Sequence, residues 1–383
     1  MREFIRVKQE AVKGGELAGA GRRVAAVGLD LGDRLSQFCE IGEGGEIVQE
    51  GRLPTTEVGL RRYFGGMGRV RVAIETGMHS PWVSRVVSSL GHEVVVANSR
   101  KLRLIYENRR KRDKVDARYL GKLARLDPEL LFPVHHRSES RQKDLAVLRS
   151  RGALVSARTQ MVNHVRGSVK SIGSRLPSCS AEGFARRVGE QIPGSLKETL
   201  SPILETIALV TGQIREFDRK IERMAREAYP EAQRLMQVRG VGALTALAFI
   251  LTLEDAGRFR RSRTVGAYLG LVPALDSSGK LNPQLGITKQ GDVFLRRLLV
   301  GSGQYILGPF GRDCDLRRHG LLIAQRGGKN ARKRGVVAVA RKLAVLLHRL
   351  WRTGETYQPL HNSERRQSSQ REAAVLACEV MAG

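Results

Sequence analysis

From Leu148 to Met224 the apolar residues recur every seven positions. Leu148, Val155, Val162, Val169 and Leu176 form one line, and Val165 and Ile172 supply a second. Beyond Pro177 the spacing resumes at Leu200, Ile207, Ile214 and Ile221, interleaved with Ile203, Val210, Phe217 and Met224. A seven-residue period keeps one stripe of a helix turned toward a partner helix along its whole length. It predicts a first helix ending at Pro177, which cannot continue a helical ladder, and a second helix folding back on it. The expectation is an antiparallel coiled-coil arm over residues 140–230, paired within the chain or with another protomer. An ordinary helical-bundle core is the alternative.

Upstream of that arm the period is that of strands. Val24 to Asp30 (VAAVGLD) is an apolar run ending on an acid, followed by Leu35 to Ile41, the turn Gly42-Glu43-Gly44-Gly45, and Glu46 to Glu50. This predicts a three-stranded meander. A short helix over Thr56 to Phe64 precedes a second strand ending on an acid, Val70 to Glu75 (VRVAIE). Pro81 to Leu90 reads as a helix with Pro near its start, Val94 to Ala97 as a buried strand, and Asp116 to Ala124 as a helix. A meander followed by alternating strands and helices is the order of an RNase H-like α/β domain, expected over residues 23–127. Residues 1–22 read as a loose arm.

Downstream of the heptads the chain becomes mainly helical, over residues 233–352. Val238 to Leu251 is an apolar helix introduced by Gly240 and Gly242, followed by the cations Arg258, Arg260, Arg261 and Arg263. The loop GLVPALDSSGKLNP and the segment ITKQGDVFLRRLLV come next, the latter a helix with one basic edge. Val336 to Trp351 is a last amphipathic helix, and residues 353–383 read as a flexible tail.

Charge bounds the partners. Of 383 residues, 66 are Lys or Arg against 38 Asp or Glu, a formal charge of +28. That balance favours a polyanion, and nucleic acid over a membrane surface. Only 5% of residues are aromatic, which argues against a surface built on base stacking. Cys39, Cys179, Cys314 and Cys378 lie far apart with no CxxC pair, so neither a zinc site nor a disulfide framework is expected. No apolar run spans a membrane and no apolar signal region opens the chain, so the sequence reads as cytoplasmic.

Within this frame four acids stand out. Asp30 and Glu75 close two apolar strands, where a carboxylate is costly unless it is paired or serves a site. Asp113 and Asp116 are three apart and share a face if helical. Together the four fit two Mg²⁺ or Mn²⁺ ions, which in phosphoryl transfer activate the attacking oxygen and stabilise the leaving one. The alternative is that each acid pairs with a nearby cation. Asp113 sits inside the basic run Arg109, Arg110, Lys111, Arg112 and Lys114, suited to holding phosphates beside a metal. Val238-Arg239-Gly240-Val241-Gly242 has the hydrophobic-Gly-hydrophobic-Gly form of a helix-hairpin-helix turn, whose glycines let backbone N–H groups approach phosphate. Arg260, Arg261, Lys289, Arg296 and Arg297 extend that basic surface. Ser277-Ser278-Gly279-Lys280 is by composition a turn, although a serine in such a loop is also a potential nucleophile.

The motifs GLDLGD (28–33), AIETG (73–77), RDKVDARYL (112–120), VRGVGALTA (238–246), YLGLVPALDSSG (268–279) and GITKQGDVFLRRLLV (286–300) resemble the transposases of the insertion sequence 110 family, over residues 24 to 352. The resemblance implies a RuvC-like domain with a metal-binding DEDD quartet, falling on Asp30, Glu75, Asp113 and Asp116. It also implies a coiled-coil connection and a C-terminal transposase domain with an essential serine. That serine falls on Ser278, with Ser277 beside it as the alternative. The implied activity is cutting and rejoining DNA, with the serine attacking a phosphodiester at a composite site that is complete only when the two domains meet. The implied partners are donor and target DNA, a homo-oligomer on that DNA and, as in some members, a structured guide RNA. A Holliday-junction type metal-dependent endonuclease without serine chemistry is the alternative, and a nuclease-like fold that only binds nucleic acid is a third.

Overall fold

The computed structural model describes residues 23–102, 113–274 and 285–363. The chain divides into two compact units, 1–137 and 138–383. The expected separate arm and C-terminal domain therefore belong to one unit. The physical reason is a shared core: Leu145, Leu148, Ile221 and Ala225 at the base of the arm are buried with Leu247, Ile250 and Leu347 of the C-terminal helices.

In the first unit, β1 (Val24–Asp30), β2 (Leu35–Gly42) and β3 (Ile47–Pro54) form an antiparallel meander. Then come α1 (Glu57–Phe64), β4 (Arg71–Glu75), α2 (Ser80–Ser89), β5 (Glu93–Ala97) and α3 (Asp113–Leu126). The strand order is β3-β2-β1-β4-β5, with β4 parallel to β1 and to β5. Thr56 starts α1 by accepting a hydrogen bond from the Gly59 amide at 3.1 Å, a side-chain cap for otherwise orphaned donors. Alternation of side chains along the strands builds two cores. Val27, Leu29, Val72 and Ile74 pack with Leu60, Phe64, Val83 and Val87 of α1 and α2, while Ala26 and Ala73 face Leu120 and Ala124 of α3.

The second unit opens with α4 (Glu139–Ser171), a short α5 (Phe184–Val188) and α6 (Gly194–Glu227). Helices α4 and α6 run antiparallel: Arg151 pairs with Asp218 at 2.8 Å, and the buried Arg158 donates to the Thr211 hydroxyl at 3.3 Å. Leu200, Ile207, Ile214 and Ile221 are buried as the heptads require. The second line differs from the expected one. Leu204, Thr211 and Ala225 are buried, and Ile203, Val210, Phe217 and Met224 only flank the seam. An i, i+4 step lies closer to the 3.6-residue turn than the expected i, i+3 step on this face. The first helix also stops earlier than Pro177. Gly173 takes φ 82, its N–H bonds the Lys170 carbonyl at 3.0 Å, and the Ser174 N–H reaches Val169 at 3.2 Å. This is a Schellman end, which a left-handed glycine makes cheap, and it leaves Ile172 exposed.

The chain continues through α7 (Glu231–Met236), α8 (Ala243–Leu253), α9 (Arg263–Tyr268), α10 (Val293–Leu307), α11 (Asp315–Gln325) and α12 (Ala331–Thr353). Helix α8 is buried from Thr245 to Leu253. The expected tail is docked as far as Ser363. The Tyr357 amide donates to Gln237 at 2.9 Å, and the Asn362 amide donates to Asp315 at 2.7 Å. Residues 1–22 and 364–383, read as arm and tail, lie outside the described residues. No helix among the described residues is long and apolar enough to cross a membrane.

Candidate functional site

The sheet brings two of the four acids side by side. Strands β1 and β4 pair in parallel from Ala26↔Arg71 to Leu29↔Ile74, so the next step sets Asp30 opposite Glu75. Neighbouring strands lie about 4.8 Å apart, and both acids end their strands. By alternation they belong to the face shared by Ala26, Gly28 and Ala73, the face that α3 covers. The direction of α3 completes the arrangement. Its C-terminal end lies at the start of β4, where the Arg71 guanidinium donates to the Ala124 carbonyl at 3.0 Å. Its middle lies on Gly28. The first turn, with Asp113 and Asp116, therefore comes to the carboxyl ends of β1 and β4.

The depth of that docking is set by residues without side chains to interfere. A Cβ on Gly28 would collide with the Ala117 carbonyl oxygen and the Gly121 amide, and would lie 3.0 Å from the Ala117 carbonyl carbon. A Cβ on Gly121 would meet Ile41 Cγ1 at 2.9 Å and the Gly28 amide at 3.0 Å. Gly28 and Gly121 were not among the residues expected to matter. The signal was available: small residues four apart, Ala117 and Gly121, on the helix that carries the acids.

Asp116 is buried, at 5% exposure, and Asp30 and Glu75 are half-buried. None of the three is without a partner. Asp113 opens α3, but its side chain, like that of Lys114, lies outside the described residues, as do Arg109, Arg110, Lys111 and Arg112. Among the described residues no group of three or more His, Cys, Asp and Glu side chains closes into a metal cage. The fold thus gathers the elements that carry the acids without drawing the three described carboxylates onto one point. A further pair sits at the same edge of the sheet. His79 Nε2 lies 3.4 Å from Asp33 Oδ1, and the Trp82 indole N–H donates to His79 Nδ1 at 3.1 Å. That donation leaves the imidazole proton on Nε2, facing the carboxylate.

In the second unit the loop with Ser277 and Ser278 (275–284) lies outside the described residues, but its neck does not. Pro273 and Ile287 form an antiparallel bridge. The Ala274 amide donates to Gly286 at 2.8 Å, Thr288 to Val272 at 2.9 Å, and Lys289 to Gly270 at 3.1 Å. Gly270 takes φ 67 and Gly291 φ 79, and Lys289 holds the left-handed φ of 55 without being glycine. The two glycines take that region without strain, whereas a non-glycine residue held there is an outlier of the kind that clusters at functional sites.

Arg296 corrects the expected basic surface. It is 8% exposed, and its guanidinium donates to the carbonyls of Leu269 at 3.0 Å and Gln290 at 2.7 Å. Its cation clamps the two sides of the neck and is not presented to a phosphate. Its neighbour Arg297 is exposed. Arg297 lines an open cleft of about 530 Å³ together with Gly240, Gly242, Thr245, Ser302 and Tyr305. Gly240 turns the chain between α7 and α8 at φ 89, and a Cβ there would meet the Tyr305 ring at 2.9 Å. Lys289, Arg260 and Arg261 are also exposed.

Comparison with known proteins gives these features a class. Residues 27–173 match a DEDD-type transposase model of the IS110 group, and residues 232–306 match the transposase IS116/IS110/IS902 family. The protein is an enzyme that cuts and rejoins DNA. Its two matched segments make up more than half of the chain, which belongs to the IS110 family of transposases. Among its relatives, the transposase for insertion sequence element IS1111A of Coxiella burnetii is 27% identical, covering 88% of this chain and 92% of its own. A probable family 20 transposase of Pseudomonas aeruginosa is also 27% identical, covering 88% and 99%. A third of the chain is 28% identical to the Holliday junction branch migration complex subunit RuvA of Polynucleobacter asymbioticus, covering 72% of that protein. A DEDD-type transposase domain points to dependence on a divalent metal.

Proposed function

We propose that the first unit is a RuvC-like, RNase H-type domain whose Asp30, Glu75, Asp113 and Asp116 hold Mg²⁺ or Mn²⁺. The observation that carries this is the meeting of the carboxyl ends of β1 and β4 with the first turn of α3. A meander followed by two parallel strands, in the order β3-β2-β1-β4-β5, supports the fold assignment. The donor set fits the ion in kind, since hard divalent cations take carboxylate oxygens. When bound, the metal would supply charge stabilisation for phosphoryl transfer.

In the same proposal Ser278 is the nucleophile. Its Oγ forms a bond to the scissile phosphorus, and the bond from phosphorus to the leaving sugar oxygen breaks, that oxygen departing as a hydroxyl. The resulting phosphoserine ester conserves the phosphodiester energy. Attack by a second DNA hydroxyl then rejoins the strand and frees the serine. The paired neck and the Arg296 clamp support a held presentation of this loop. Gly240, Gly242 and Arg297 form a helix-hairpin-helix-like contact to the DNA backbone, with Lys289, Arg260 and Arg261 and the run from Arg109 to Lys114 on further phosphates. The charge of +28 suits a polyanionic partner. The proposal extends to donor and target DNA bound together, a dimer or tetramer on them joined through the helical arm, and a structured guide RNA as a further polyanion. Such a reaction takes place in the cytoplasm, at the nucleoid.

The test is a nicked or suicide duplex of the element's end, run on a denaturing gel. Wild type should form a covalent protein–DNA adduct. Ser278→Ala should form none, and Asp30→Asn and Asp116→Asn should abolish metal-dependent cleavage. Cleavage by Ser278→Ala without any adduct in wild type would favour the second reading, a Holliday-junction type endonuclease working by hydrolysis.

A further inference from the structure

From Leu316 to Gly354 the chain carries no Asp or Glu. The cations in this stretch are concentrated at the turn between α11 and α12, where Arg326, Lys329, Arg332, Lys333 and Arg334 are all exposed. Among the described residues none of the five pairs with a carboxylate. Arg334 donates instead to the Gly327 carbonyl at 3.0 Å, which braces the turn. Gly327 and Gly328, at φ 78 and 86, carry the chain around it.

The start of α12 is built against its own electrostatics. A helix N-terminus presents unpaired N–H groups and the positive end of the macrodipole, and favours acids and a capping side chain there. Helix α12 has no acid in its first turn, and Asn330 makes no side-chain cap. Arg332, Lys333 and Arg334 stand where acids would stabilise it. Twenty-three residues of helix are held in place by packing instead. Gly335 lies so close to α11 that a Cβ would meet the Gly320 carbonyl at 2.7 Å, and a Cβ on Gly303 of α10 would meet the Val336 carbonyl at 2.9 Å. The turn is thus fixed on a rigid three-helix junction. The positive field reaches its surroundings. Burial first, then Lys342 and Arg326, hold the His319 imidazole below its usual range. A local rule broken at one surface point of a closely packed scaffold is the kind of place where a functional site is expected. Here the missing partner is an anion that both the N–H groups and the cations would welcome.

We propose that the turn 326–334 with the start of α12 is a binding site for the phosphate backbone of duplex DNA, separate from the helix-hairpin-helix-like cleft. It rests on the reading of the chain as an enzyme acting on DNA. Contact to phosphates without base readout predicts sequence-independent, salt-sensitive affinity.

The test is the triple variant Lys329→Gln, Arg332→Gln, Lys333→Gln in the full chain, which spares the bracing Arg334. Its binding to a random-sequence duplex is followed by fluorescence anisotropy across a salt series. Each phosphate contact contributes about −0.9 to the slope of log K against log salt. The slope should become shallower by about 2.7, so that between about 50 and 200 mM salt the variant loses roughly 40-fold less affinity than wild type. The melting temperature should hold or rise, because cations leave the wrong end of a helix dipole. An unchanged slope with duplex DNA overturns the proposal. So does a change seen only with a structured RNA, which would assign the turn to RNA. Wild type that binds no duplex at all would instead refute the underlying reading, and the two failures are distinct.

Discussion

Replacing Gly28 with alanine tests how the acidic centre is assembled. The added methyl would overlap the Ala117 carbonyl oxygen and the Gly121 amide of α3, backbone atoms that cannot swing aside. Ordinary carbon contacts begin near 3.5 Å, and even the Ala117 carbonyl carbon would lie at 3.0 Å, so α3 must retreat by about an ångström. Overpacking of this kind costs about 1–3 kcal/mol. A domain of this size tolerates that, with its melting temperature lowered by several degrees. The catalytic cost is larger. Asp116 is adjacent to Ala117, so the retreat carries it away from the strand-borne Asp30 and Glu75, and a misplacement of about 1 Å costs on the order of 10²-fold in rate. The assay is metal-dependent cleavage of a duplex by folded Gly28→Ala protein, with the metal concentration for half-maximal rate as a second readout. Gly66→Ala is the control, because nothing lies within 4 Å of a Cβ there. A folded Gly28→Ala enzyme with wild-type rate and metal requirement would refute the account of α3 as the element whose seat on Gly28 brings Asp116 to the carboxyl ends of β1 and β4.

Two further outcomes follow from the second unit. Arg296→Met should remove two hydrogen bonds from a buried guanidinium to the neck carbonyls and destabilise the unit by about 2–4 kcal/mol, read as a lowered urea midpoint. A variant as stable as wild type, with only weaker DNA binding, would restore Arg296 to the phosphate-binding surface. His348 is fully buried. Its Nε2–H donates to the Ala256 carbonyl and its Nδ1 accepts from the Ser262 hydroxyl, both at 2.9 Å. Burial first, and then Arg352, depress its pKa, against the opposing effect of the Ala256 carbonyl. The unfolded chain therefore binds the proton more readily, so stability contributed by neutral His348 is present above about pH 6.5 and is lost as pH falls toward the folded pKa, by at most about 1.4 kcal/mol per unit. His348→Gln should flatten that slope in urea titrations between about pH 7 and 5. An unchanged slope would show that other groups cause it.

What the sequence determined by itself were the features carried by local pattern. Strands ending at Asp30 and Glu75, the helix bearing Asp116, the stripe of Leu200, Ile207, Ile214 and Ile221, and the turn at Gly240 all repeat a period or carry a residue whose backbone preference is strong. The side-by-side placement of Asp30 and Glu75 was decided only by the tertiary structure, because parallel pairing joins strands more than forty residues apart and no period reports it. The same holds for the seat of α3 on Gly28, where a missing side chain on one element matters through the backbone of another. Arg296 and Arg297 show the limit most directly. They are adjacent cations on one helix, alike in sequence, and a helix turns about 100° between neighbours. One therefore points into the carbonyls of the neck and the other into the cleft.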